Sequence, residues 1–185
     1  MAGKWRQRGD TLVEVLMAMV ILSIVIVGGI TMMSRGIRAA QIAVEHTQVR
    51  LAMSGQTELL RYMRDGYAQD PNSTAGQAWT GLFNGTPLYA DNTPSSYNTC
   101  GVTSSKTGFY LQESGPNVQV NQFNPSLTPT TAATVGKGLW VEATRSPSAV
   151  TPAYVDFQLR ACWLGIGTTA RQETVTVVRL YDPAH

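Results

Sequence analysis

The sequence predicts an α+β chain: one long N-terminal helix, with a membrane-spanning first half, packed on a C-terminal antiparallel β-sheet. Three observations carry this expectation. Residues 15–34, VLMAMVILSIVIVGGITMMS, contain no charge. Residues 37–65 contain no proline and repeat their apolar positions at helical spacing. Residues 138–181 hold three β-rich runs separated by turn residues.

The charge-free run makes roughly 30 Å of helix at about 1.5 Å per residue, which matches the hydrocarbon thickness of a bilayer. Ten of its twenty residues are Leu, Ile or Val. Each favours insertion by about 0.3–0.6 kcal/mol at a helix centre, whereas an acid costs about 2.5–3.5 kcal/mol there and less near an end. Insertion therefore wins despite Glu14 at the head of the run. A core helix of a soluble protein would show an apolar stripe, but here every face is apolar. A secretory signal would have a shorter apolar region and a small-residue cleavage site, and nothing suitable follows Ile30. Charge bias gives no orientation, since Lys4, Arg6 and Arg8 precede the run while Arg35, Arg38 and Arg50 follow it.

Beyond the run, Ile42, Val49, Ala52, Gln56, Leu59 and Met63 recur at three-and-four spacing, as a helix with one buried face requires. Gly66 is the expected C-cap. Residues 11–65 would then form one helix of about 80 Å. The divisions expected are 10–34 for the membrane half, 35–66 for the amphipathic half and 67–185 for a globular head. Gly28 and Gly29, adjacent in mid-run, either let the helix bend or permit close helix packing.

Residues 66–135 read as an irregular, surface-displaying region, with turn signals at Asp70-Pro71-Asn72-Ser73, Asn84-Gly85-Thr86-Pro87, Asp91-Asn92-Thr93-Pro94 and Asn124-Pro125. Short strands are expected at Gly108–Gln112 and Asn117–Gln122. The three later runs, Gly138–Arg145, Ala153–Trp163 and Glu173–Tyr181, predict an antiparallel meander within residues 138–181. Alternation places Val155, Phe157, Leu159 and Ala161 on a core face and Asp156, Gln158, Arg160 and Cys162 on a wet one.

Charged residues make up only 14% of the chain, which suits a neutral polar surface outside the cell. The net charge of +2 depends on Lys4, Arg6 and Arg8; without them eleven basic side chains face twelve acidic ones. Nucleic-acid binding therefore has no global electrostatic support, and only Arg160, Arg171 and Arg179, near aromatic residues, hint at a local patch. No phosphate loop, nucleophile elbow or zinc-protease motif occurs, and His46 and His185 have no ligand set at metal spacing. Neither an enzyme nor a cofactor or metal site is expected. Trp79, Trp140 and Trp163 serve either packing or adhesion. Cys100 and Cys162 lack the spacing of a zinc or thioredoxin site. They form either one disulfide, worth roughly 4 kcal/mol by loop entropy, or two separately buried thiols.

The segment RGDTLVEVLMAMVILSI resembles the N-terminus of type IV prepilins and pseudopilins over about residues 6–30. The features shared are a short basic leader, Gly9, a Thr-Leu-Val-Glu segment and about twenty apolar residues. The resemblance implies that a prepilin peptidase cuts after Gly9, removing residues 1–9 and leaving Asp10 as the new terminus. It also implies that Glu14 pairs with the terminal amine of a neighbouring subunit and sets axial register. One departure is Asp10, where the family usually has Phe or Met. Cleavage is expected to tolerate the acid, and N-methylation is the step on which it bears. A long helix laid on an antiparallel sheet is also the pilin-type head. Many pilins bracket a C-terminal loop with a disulfide, which the mid-chain position of Cys100 matches only loosely.

The function expected from this resemblance is a pilin or minor pilin, held in the cytoplasmic membrane and then polymerised by assembly machinery into an extracellular filament for adhesion or motility. A pseudopilin of a secretion or DNA-uptake system is the alternative within the family. A single-span anchored binding module is the alternative of another class, and it would need neither Gly9 nor Glu14.

Overall fold

The computed structural model describes residues 7–85, 108–115, 117–123, 133–136, 138–146, 153–166, 170–181 and 183. Helix α1 spans Gln7–Gln69 and α2 spans Thr74–Gly85. The strands are β1 (Phe109–Ser114), β2 (Asn117–Gln122), β3 (Thr134–Val135), β4 (Gly138–Arg145), β5 (Tyr154–Leu164) and β6 (Arg171–Tyr181). The fold is α+β, as expected. The chain divides into two compact units, Met1–Ala43 and Val44–His185.

The first unit is helical from Gln7 onward. Its described side chains, from Leu12, are all exposed, including Leu16, Ile21, Ile24 and Val27. Three hydroxyls in the apolar run donate to the carbonyl four residues back, Ser23 to Met19, Thr31 to Val27 and Ser34 to Ile30, at 2.8–3.0 Å. These bonds satisfy polar groups inside the helix, as a lipid environment demands. A Cβ added at Gly28 or Gly29 would meet nothing within 4 Å, so no close approach within the chain requires either glycine.

In the second unit the sheet runs β2-β1-β4-β5-β6 with antiparallel neighbours, and β3 pairs in parallel with β4. The meander β4-β5-β6 is the one expected. Its inward residues Leu139, Val141, Val155, Phe157, Leu159 and Ala161 are buried, and α1 contributes Val49, Met53, Leu60 and Met63 to the same core. The helix stripe is therefore Val49, Met53, Gln56, Leu60 and Met63. Ala52 and Leu59 are only partly buried, and Ile42, in the first unit, is 44% exposed.

Two expectations fail beyond this point. Gly66 does not cap α1: its carbonyl accepts the Asp70 amide at 2.9 Å and the helix continues to Gln69. Pro71 ends the helix by disfavouring helical backbone at the residue before it. The role of Gly66 is proximity, because a Cβ there would lie 2.4 Å from the Ala75 Cβ. The region 66–135 also contains α2, which was expected to be irregular. Ser73 caps this helix, its hydroxyl accepting the Gly76 amide at 3.1 Å. Ala75, Trp79 and Leu82 face the core at helical spacing.

The outer face of β5 departs from the alternation rule as well. Arg160 and Cys162, expected on a wet face, are 0% and 1% exposed. Phe123, Trp140 and Cys162 form a second small core there, with Phe123 stacked on Trp140 at 4.8 Å. Apolar side chains cover both sides of the sheet's centre, so polar residues on that face are buried with it.

Candidate functional site

The N-terminal candidates lie on α1. Gly9 and Asp10 fall in its first turns, because the helix begins at Gln7. Glu14 lies one turn beyond Asp10 and is exposed, followed by apolar side chains that nothing among the described residues covers. Among the described residues, α1 is long and apolar enough, by length and composition, to cross a membrane. A carboxylate on its surface costs free energy in hydrocarbon unless a positive partner meets it.

The head presents two further arrangements. Gln56, in the buried stripe of α1, donates from Nε2 to the Leu111 carbonyl at 2.9 Å and accepts the Leu111 amide through Oε1 at 2.8 Å. Pairing of β1 with β4 is confined to Phe109 and Val141, so the Gln56 amide takes up backbone groups of β1 beyond that pair.

On the opposite face the Arg160 guanidinium meets two carboxylates. It contacts Glu142 at 3.4 Å and Glu173 at closer range, while Trp140 Nε1 donates to Glu142 at 2.9 Å. Burial of such charges is tolerable only when they are paired and hydrogen-bonded. Arg179, at the exposed edge, makes a two-pronged contact with Asp156 at 2.8 Å and lies 3.8 Å from the Tyr154 ring centroid. The hydrogen bonds that Arg179 donates to Asp156 hold its guanidinium above its ordinary pKa.

These contacts bear on the local patch at which Arg160, Arg171 and Arg179 only hint. Arg160 is inside the head and Arg179 is committed to Asp156 and Tyr154, which leaves Arg171 as the exposed member without either commitment. Of the cysteines, Cys162 lies in the second core and Cys100 lies outside the described residues. Trp79, Trp140 and Trp163 are each 1% exposed, so they pack the head and present no stacking surface. Sequence reasoning missed the partners of Gln56 and Arg160, because the first depends on how α1 packs on β1 and the second on strand register.

Residues 6–30 match the family model described as the prokaryotic N-terminal methylation motif. The chain carries the prepilin-type cleavage and methylation motif. No curated protein and no solved structure matches the chain. The motif spans Gly9, Asp10, Glu14 and residues 15–30 of the exposed apolar run. The motif supports a pilin-like precursor, and the helix that continues it has the length and apolar composition to cross a membrane.

Proposed function

We propose that this chain is a structural subunit of a type IV pilus, a pilin or minor pilin, and that it has no enzymatic role. Prepilin peptidase removes residues 1–9, the apolar half of α1 holds the subunit in the cytoplasmic membrane, and assembly machinery packs that half against other subunits in the filament. The observation that carries this reading is the prepilin-type motif at residues 6–30, continued by an apolar helix that no other described part of the chain covers. An anchor alone would need the apolar run but not a cleavage glycine followed at fixed distance by an acid. In the filament Glu14 meets the amine freed at Asp10 of a neighbour, a pairing that offsets the cost of a carboxylate among apolar helices.

The head fits extracellular exposure, and we propose a Cys100–Cys162 disulfide as part of it. The burial of Cys162 against Trp140 and Phe123 supports a structural cysteine rather than a reactive one.

The test of processing is co-expression with a prepilin peptidase, followed by intact-mass analysis of the membrane fraction. Loss of residues 1–9 is expected, and a Gly9→Leu chain should remain full length. An uncut wild-type chain beside a cleaved control prepilin would refute the reading.

A further inference from the structure

A cavity of about 20 Å³ lies in the head, lined by Glu45, Gln48, Val49, Ala133 and Trp163. Two of its lining residues carry buried polar atoms without a hydrogen-bond partner, the acceptor Glu45 Oε1 and the donor Trp163 Nε1. Trp163 is 1% exposed, and its ring is held edge-on by His46 at 5.2 Å between centroids. A buried indole N–H and a buried carboxylate oxygen are each costly when left unsatisfied, the charged group more so. Two such atoms around one cavity therefore call for a common partner.

The chemistry of the pair identifies that partner. The indole can only donate, so the ligand must carry a lone pair, which excludes ammonium and metal cations. The carboxylate oxygen can only accept, so the ligand must also donate, which excludes halides and other bare anions. A single water needs roughly 10–15 Å³ of such volume and two or more polar partners, and this cavity meets both conditions without room for a larger molecule.

We propose that this cavity is a binding site for one structural water, which accepts from Trp163 Nε1 and donates to Glu45 Oε1. The water joins the first turn of α1 in the second unit to the end of β5. Gln48, on the cavity wall, is placed to supply a third partner. Two adjacent helix residues then grip one tryptophan, Glu45 through water at its nitrogen and His46 at its ring. The proposal rests on the head alone and stands whether or not the chain assembles into a filament.

The test is solution NMR of the full chain, ¹⁵N-labelled at tryptophan, in detergent micelles. The Trp163 indole proton is assigned through its ring contacts to His46, and rotating-frame cross-peaks between water and the indole protons are recorded. The expected result is a direct water cross-peak to the Trp163 indole proton together with slow exchange of that proton with solvent. Glu45→Leu is expected to abolish the cross-peak and move the indole proton upfield, while the Trp79 and Trp140 indole signals stay in place. Glu45→Gln, which keeps a carbonyl oxygen, should retain it. A slowly exchanging Trp163 indole proton without a water cross-peak in the unmodified chain would overturn the proposal, independently of how either variant folds. An unchanged cross-peak in a folded Glu45→Leu chain would overturn it as well.

Discussion

Gln56 and Leu111, fifty-five residues apart, are joined by two hydrogen bonds of 2.8 and 2.9 Å in which a side-chain amide takes the place of a neighbouring strand. Gln56 is 3% exposed, so water offers no substitute for either bond. The head thus fastens its helix to β1 through polar groups as well as through the apolar stripe of Val49, Met53, Leu60 and Met63.

Gln56→Leu tests that fastening. The substitution keeps a similar volume but leaves a buried N–H and a buried C=O of Leu111 without partners, at a cost of about 1–3 kcal/mol each. Urea unfolding followed by tryptophan fluorescence should show a loss of at least about 2 kcal/mol, and the Leu111 amide should exchange faster. An unchanged midpoint would mean that the two bonds contribute nothing net.

Gly66→Ala sets helix propensity against packing. Alanine inside a helix is favoured over glycine by about 1 kcal/mol. Its Cβ would lie 2.4 Å from the Ala75 Cβ, a contact that forces α2 away from α1. Overpacking of this kind costs about 1–3 kcal/mol. The expected outcome is a lower thermal midpoint, whereas an exposed glycine at the end of a helix would give a higher one.

Arg160→Leu removes the guanidinium that faces Glu142 and Glu173. Breaking a buried ion pair from one side costs about 3–5 kcal/mol, because charge is left uncompensated. The variant should unfold earlier at neutral pH than the unmodified chain. Adding Glu142→Gln and Glu173→Gln should recover part of the loss, and failure of that rescue would show that the guanidinium contributes mainly by packing on Trp140, 5.5 Å from its ring centroid.

Glu14→Ala separates processing from assembly. The substitution removes a carboxylate from the start of the apolar run, which makes insertion easier, and leaves Gly9 untouched. Peptidase cleavage should proceed as in the unmodified chain, while the yield of sheared filament should fall at least tenfold. Normal yield would remove the register role of Glu14.

Much of this molecule was legible in its residues. The charge-free run and the proline-free amphipathic stretch give one long helix, and the strand runs at Asn117–Gln122 and Gly138–Arg145 give elements with the bounds expected. Helix α2 was hidden by Gly76 and Gly81 and by the turn signals before it, although Ser73 followed by Ala75, Trp79 and Leu82 carries a cap and a helical stripe. Alternation along β5 located the main core but read Arg160 and Cys162 as solvent-facing. A period of two separates the faces of a strand and says nothing about what covers the second face. The contacts of Arg160 with Glu142 and Glu173 depend on cross-strand register, where Trp140 faces Arg160 and Cys162 faces Glu173. At the N-terminus, by contrast, Gly9, Asp10 and Glu14 are a local pattern and need no fold to be recognised.

The most direct test of the proposed function is N-terminal mass analysis of material sheared from cells that produce this chain. The prediction is a polypeptide that begins at Asp10 in the filament fraction, with the new amine either free or methylated. A chain that begins at Met1 and stays wholly in the membrane fraction would contradict it.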